Sequence, residues 1–396
     1  MGRYTAGIVV LPEFDERASL VFDKETGIPA DLPSSYLVLN EFGHLSHNTM
    51  HFRAIMIAQL FNWADKRHID FNNRFASGEG FSMEEILSLN DYLTRDHSNA
   101  KVKPLRVAVK THSKKIAVAT SFLAWMRDRY YLQRRAGDVI NESMKERTNI
   151  VIDRLLGKVV KGESNTQKGL TIEEQQAFLQ VIAADNPDSP FKGYNRERNY
   201  LLFLMLFISG VRISELLKLT LMDLQLEGSN PFIHVSHEEH VPDPRKNKMV
   251  LKTQPRDIQI SGDMVRLIQQ FLLEGRQFRK AARKAAPFLF LNSRIDTKAM
   301  SRNQVYNIVQ LIRAAHPLLH EVSPHRLRHT WNDNFDRMYK DSGMTDVMKT
   351  RTKNYLCGWV PTSKQSEKYN ILSVMELSQK LSLDLQANMF KKLRGG

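Results

Sequence analysis

Apolar residues recur at helical spacing along most of this chain and alternate only in a few short stretches. Residues 48–66 place Met50, Ala54, Ile57, Phe61 and Ala64 on one face, as a core-facing helix requires. Ser82 followed by Glu85 is a capping-box signature that opens a further helix. Residues 104–134 read as one long helix. Leu105, Val109, His112, Ile116, Leu123 and Tyr130 make its apolar stripe, and Lys110, Lys114, Lys115 and Arg127 fall largely outside it. Residues 138–160 supply another helix, and near the N-terminus residues 8–11 and 36–39 look like short strands with a turn at 23–27.

The pattern breaks at residues 161–169, which are polar and carry glycines, so they read as a linker. Thr171 and Glu174 then form a second capping box. Residues 199–208 are apolar on every side but too short to cross a bilayer, which marks a buried helix. Residues 232–236 and 249–260 alternate as strands, and helices return from Gly262. Val374, Leu377, Leu381 and Leu385 form a last helical stripe. The predicted fold is mainly α with a small antiparallel β-sheet. It divides into an extension of unclear role at 1–40, a helical domain at 41–161, a linker at 162–169 and a second domain at 170–396.

Charge changes this picture by locating a surface. The net charge of +14 points to a polyanionic partner. Residues 1–100 carry 8 Lys and Arg against 14 Asp and Glu, net −6, whereas residues 101–168 carry 16 against 6, net +10. The basic middle is the candidate nucleic-acid surface, with Lys110, Lys114, Lys115 and Arg127 as its contacts. A single cysteine excludes a disulfide framework, and the sequence shows no signal peptide and no apolar run of membrane length.

The candidate chemistry lies in the C-terminal half. Arg212 and Glu215 follow the apolar helix, His325, Arg328 and His329 form one cluster, and Trp359 and then Tyr369 come after them. Each is ordinary alone. Arg212 with Glu215 would be a surface ion pair worth a few tenths of a kcal/mol. His325 and His329 stand one helical turn apart like a metal pair, but a metalloprotease needs Glu directly after the first His, and Arg326 is there. Two further histidine groups, His44, His47 and His51, and His234, His237 and His240, lack cysteine support, so no metal site is assigned.

In chain order, Arg212, His325, Arg328, Trp359 and Tyr369 resemble the signature of the tyrosine recombinase, or phage integrase, family over residues 170–385. The resemblance implies a helical core-binding domain that clamps double-stranded DNA, followed by a catalytic domain. It makes Arg212 and Arg328 a clamp for the scissile phosphate, whose transition state gathers charge that planar guanidinium forks match. Tyr369 is then the nucleophile, with Tyr355 as its near rival, and His325 the base. Trp359 stands where many members carry His, and an indole N–H donates one hydrogen bond but transfers no proton. Lys252, within the alternating 249–260 stretch, resembles the family's hairpin lysine that protonates the leaving 5′ oxygen, with Lys246 and Lys248 close by. Glu215 and His329 support the set.

The implied function is a site-specific recombinase or integrase of a mobile element. It cuts and rejoins DNA through a 3′-phosphotyrosine with no metal or nucleotide cofactor. The implied assembly is a homotetramer on two duplexes, with accessory recombinases as further partners, no membrane, and a cytoplasmic, nucleoid-associated location. C-terminal helices of the family dock onto a neighbouring protomer, whereas the last stripe here also reads as ordinary core. Alternatives are a telomere resolvase or type IB topoisomerase with the same chemistry, or a non-catalytic DNA-binding accessory protein.

Overall fold

The computed structural model describes residues 2–11, 16–42, 45, 47–97, 106–134, 138–159, 168–193, 195–236, 241–243, 245, 253–276, 287–292, 299–340, 343–359 and 371–393. The chain separates into two compact units, residues 1–165 and 166–396.

In the first unit, β1 (Tyr4–Leu11) and β2 (Glu16–Asp23) form an antiparallel hairpin with Gly7 opposite Leu20. It packs on helix α2 (His47–Lys66). The Asn62 side chain of α2 donates to the Tyr4 carbonyl at 2.9 Å and accepts from the Tyr4 amide at 2.8 Å, so helix and strand share one polar clasp. Among the described residues of 1–40, Ala18, Val21, Leu32, Tyr36 and Leu37 thus belong to this unit's core. Residues 36–39, expected as a strand, instead end helix α1 (Asp31–Tyr36) and run on as a π turn over Leu37–Glu41. A short apolar run carries no period that separates strand from buried helix. Packing decides: Tyr36 is fully buried, meets Phe122 and Trp125 edge-on at 5.4 Å, and donates from its hydroxyl to Ser121 at 3.0 Å.

Helices α3 (Phe71–Ser77) and α4 (Met83–Leu93) follow, the latter opened by the Ser82–Glu85 capping box. The long basic helix α5 spans Val109–Gln133 and packs against α6 (Val139–Leu156), capped by Asp138. Two expectations on α5 fail. Val109 is exposed. Lys115 is buried, its ammonium donating to the Arg95 carbonyl at 2.7 Å, and burial pulls its pKa down. Charge had suggested the outer face for Lys115, but the helix carries it next to Ile116 toward the core.

The second unit begins at α7 (Ile172–Ile182), with both capping-box hydrogen bonds between Thr171 and Glu174 formed. Its centre is α8 (Asn195–Ser209), whose residues 201–208 are all buried. Then come the short α9 (Ile213–Lys218) and a sheet of β3 (Leu224–Gln225), β4 (Phe232–Val235) and β5 (Arg256–Gln259), antiparallel in that order with Ile233 opposite Ile258. Residues 249–252, expected within the same hairpin, lie outside the described residues. Helices α10 (Gly262–Gln270), α11 (Arg302–Ala315), α12 (Pro324–Met338), α13 (Asp346–Cys357) and α14 (Ile371–Leu393) complete the unit.

Helix α14 packs on its own unit. Leu381 and Leu385 are buried, Tyr339 donates to the Leu381 carbonyl at 2.9 Å, and Gln386 accepts from the Ser261 amide and donates to the Gln259 carbonyl. Among the described residues no helix is long and apolar enough to cross a membrane, and no group of three metal-ligating side chains occurs. His44, His237 and His240 lie outside the described residues.

The join between α8 and α12 is close. The Trp331 indole donates to the Ile208 carbonyl at 3.1 Å, and Gly210 turns the chain at φ +64°. A Cβ on Gly210 would stand 2.5 Å from Trp331 Cδ2. Gly210→Ala is therefore expected to destabilise the protein by about 2 kcal/mol or more, from the left-handed backbone alone and then from overlap with a fully buried ring. Chemical denaturation measures it, and an unchanged midpoint would contradict the packing.

Candidate active site

The site is built around the C-terminal end of α13, where helix carbonyls lack intrahelical donors and carry partial negative charge. Guanidinium groups from three other elements supply the donors. Arg256 on β5 donates from Nε to the Leu356 carbonyl at 2.8 Å. Arg212, just before α9, and Arg328 on α12 both donate to the Cys357 carbonyl, at 3.2 and 2.8 Å. Arg328 also donates to the Gly210 carbonyl at 2.5 Å. The next residue, Gly358, closes α13 at φ +62°, and Trp359 follows with its ring 5.6 Å from the Arg328 Cζ. Arg212, Arg328 and Trp359, far apart in sequence, thus meet at one peptide turn.

Glu215 organises the arginines from below. It is almost fully buried and its carboxylate accepts from Arg256 at 3.0 and 3.3 Å, from the Thr253 hydroxyl at 2.5 Å and from the Arg212 amide at 2.8 Å. Burial alone would raise its pKa, but the Arg256 charge and these hydrogen bonds hold it below the ordinary carboxylate value. The surface ion pair suggested by spacing is thus a buried one, and its main partner is Arg256. Arg212 Nη1 stands farther off, at 3.7 Å from the carboxylate.

His325 and Arg328 lie on one face of α12, capped by Ser323. His325 is exposed and its Nε2 is 3.2 Å from His329 Nε2, so one imidazole donates to the other. Partial burial, then the charges of His329, Arg328 and Arg212, lower the His325 pKa, which leaves a neutral imidazole able to accept a proton at neutral pH. Tyr355 has the opposite character to an activated phenol: burial and the Asp257 charge raise its pKa.

Lys252 and Tyr369 lie outside the described residues, as do Lys246 and Lys248. Thr253, the next residue in sequence after Lys252, donates from its hydroxyl to Glu215. Of the cations expected to face nucleic acid, Lys110 and Lys114 are exposed on α5, and the Lys114 ammonium is 6.0 Å from the Phe52 ring. Arg127 is partly covered, held by Asp128 at 2.8 Å and Asn149 at 2.5 Å, and Lys115 is withdrawn into the core.

Arg256 is the residue that reading the sequence as motifs missed. Its signal was periodicity: on β5, Arg256 and Ile258 share the buried phase, and an arginine on the inward face of a strand needs a buried anion. In ring-proton NMR, His325 should titrate below the ordinary imidazole value of about 6.5. Arg212→Ala should raise that midpoint, because a repelling charge is gone. A midpoint at or above the ordinary value would contradict the arrangement.

Residues 170–342 match the model of the phage integrase family. No curated protein matches the chain. Among solved structures, the chain is similar to the XerH site-specific recombinase bound to its difH substrate before cleavage, at 15% identity and a TM-score of 0.48, covering 82% of this chain and 78% of that one. It is also similar to the same recombinase on a palindromic difH substrate after cleavage, at 14% identity and a TM-score of 0.49, covering 87% and 79%. The integrase of the Tn1549 transposon in complex with a circular intermediate DNA is similar at 18% identity and a TM-score of 0.37, covering 84% and 98%. The matched segment, residues 170–342, is the one that holds Arg212, Glu215 and the His325–Arg328 pair, and it is similar to the phage integrase family of tyrosine recombinases.

Proposed function

We propose that this protein is a site-specific DNA recombinase that cuts and rejoins strands through a 3′-phosphotyrosine on Tyr369. The observation that carries the reading is the convergence of Arg212 and Arg328 on the Cys357 carbonyl, with His325 one helical turn before Arg328 on α12. A guanidinium has five N–H donors, so the carbonyl contact orients each arginine and leaves further donors for an anion. A scissile phosphate held there gains most in its transition state, when charge on the non-bridging oxygens peaks.

In the proposed reaction, the Tyr369 oxygen attacks phosphorus while its proton passes to His325. The bond from phosphorus to the 5′ oxygen breaks, and Lys252 protonates that oxygen. Attack by a 5′ hydroxyl on the phosphotyrosine reverses each transfer and reseals a strand. The phosphotyrosyl bond keeps the energy of the broken linkage, so neither metal nor nucleotide is required. Trp359 steadies the Arg328 guanidinium with its ring and offers its indole N–H to a phosphate oxygen.

The first unit acts as the core-binding clamp, through the exposed Lys110 and Lys114 and with Arg127 at its margin. Exchange between two duplexes uses one site per cleaved strand, so a homotetramer is the working assembly, with accessory recombinases as candidate partners. A mobile element is the proposed context, and the nucleoid the proposed place of action.

The test is covalent trapping on a nicked suicide substrate made from DNA flanking the gene, with EDTA present. Wild type should form an adduct, and Tyr369→Phe should bind the same DNA without forming one. Adduct from Tyr369→Phe would transfer the role to another tyrosine, and binding without adduct by wild type would favour a non-catalytic accessory protein. Arg212→Ala and Arg328→Ala should each slow cleavage by on the order of 3 kcal/mol or more. On the clamp, Lys114→Glu should weaken binding and reduce its salt slope by about one unit. Lys115→Met should leave that slope unchanged, since its ammonium faces the core.

A further inference from the structure

Arg256 takes no part in the proton and phosphoryl transfers above, yet it is as deeply buried as Glu215. Two guanidinium groups compete for the Glu215 carboxylate. Arg256 holds it with two contacts, at 3.0 and 3.3 Å, and Arg212 stands at 3.7 Å with its Nη1 turned to the Cys357 carbonyl. A buried carboxylate does not remain without a cation. Were Arg256 absent, Arg212 would be the cation among the described residues already within 3.7 Å, and it needs to move by less than an ångström to close the pair.

We propose that Arg256 is a positioning residue that keeps Glu215 occupied, so that the Arg212 guanidinium stays turned outward to a scissile phosphate. Two further contacts fit this role. Arg256 Nε also fixes the Leu356 carbonyl, the neighbour of the carbonyl that orients Arg212 and Arg328. Gly358 closes directly over it, since a Cβ there would lie 2.5 Å from Arg256 Nη1 and 2.9 Å from Thr253 Cβ. One arginine thus sets both the anion beneath Arg212 and the turn above it.

The inference rests on the cleavage reading for its consequence, but not for its geometry, so the test has two readouts. The first needs no DNA: guanidinium ¹⁵N spectra of wild type, Arg256→Met, and Arg256→Met combined with Glu215→Gln. The Arg212 signal should move in Arg256→Met, with slowed guanidinium rotation as expected of a tight ion pair, and return in the double variant. The second readout is adduct formation on a phosphodiester and on a methylphosphonate at the scissile position. Arg256→Met should slow it by about 100-fold on the phosphodiester with little change in DNA affinity. The loss should shrink by about tenfold on the uncharged methylphosphonate, where Arg212 matters less, and in the double variant. A purely structural role predicts equal losses on both substrates. An Arg212 signal unmoved in a folded Arg256→Met protein, or equal losses, overturns the inference. A moved signal in a protein whose wild type forms no adduct supports the positioning and overturns the cleavage reading alone.

Discussion

The second unit is organised by what happens at the carboxyl end of α13. Helix ends leave carbonyls without donors, and here those of Leu356 and Cys357 are met by Arg256, Arg212 and Arg328. Three like charges cannot crowd together in a partly dry site unless acceptors and an anion balance them. The carbonyls supply the acceptors and Glu215 supplies the anion. The same bonds that finish the fold of α13 therefore aim the cationic groups, so a loss of packing and a loss of function are hard to separate at these positions.

Support for this knot comes from the rigid elements around it. Helix α8 is buried on all sides, and α12 is fastened to its end by the Trp331 indole and by Arg328. Gly210 and Gly358 sit at the two turns where a side chain would strike Trp331 or Arg256. In both cases the left-handed backbone brings a carbonyl or a turn into line with a guanidinium. The same crowding lowers the pKa of His325, because partial burial and the positive charges of His329, Arg328 and Arg212 oppose its protonation.

Much of this was legible in the sequence where the cause is local. The capping boxes at Ser82 and Thr171, the stripe of α2 and the all-apolar α8 depend on residues within a turn or two of each other, and the structure forms each of them. The clustering of Arg212, Arg328 and Trp359 was readable only as an ordered set whose residue types suit one chemistry. Residues 36–39 were misread because a short apolar run looks alike in strand and helix, and the edge-on packing of Tyr36 against Phe122 and Trp125 settled it. Lys115 was misread because charge predicts exposure, whereas its position on α5 turns it to the Arg95 carbonyl.

By itself the sequence determined the helical periodicities, the acidic and basic divisions of the chain, and which side chains could serve phosphate chemistry. Those follow from residue type and short-range spacing. Only the tertiary structure decided which cation each buried group would meet. Glu215 lies three residues from Arg212 but pairs chiefly with Arg256, 41 positions away, because strand β5 presents its inward face to α9 and not because of any local pattern. Buried charges are matched across the fold by distance and desolvation, and neither quantity is written in the order of residues along the chain.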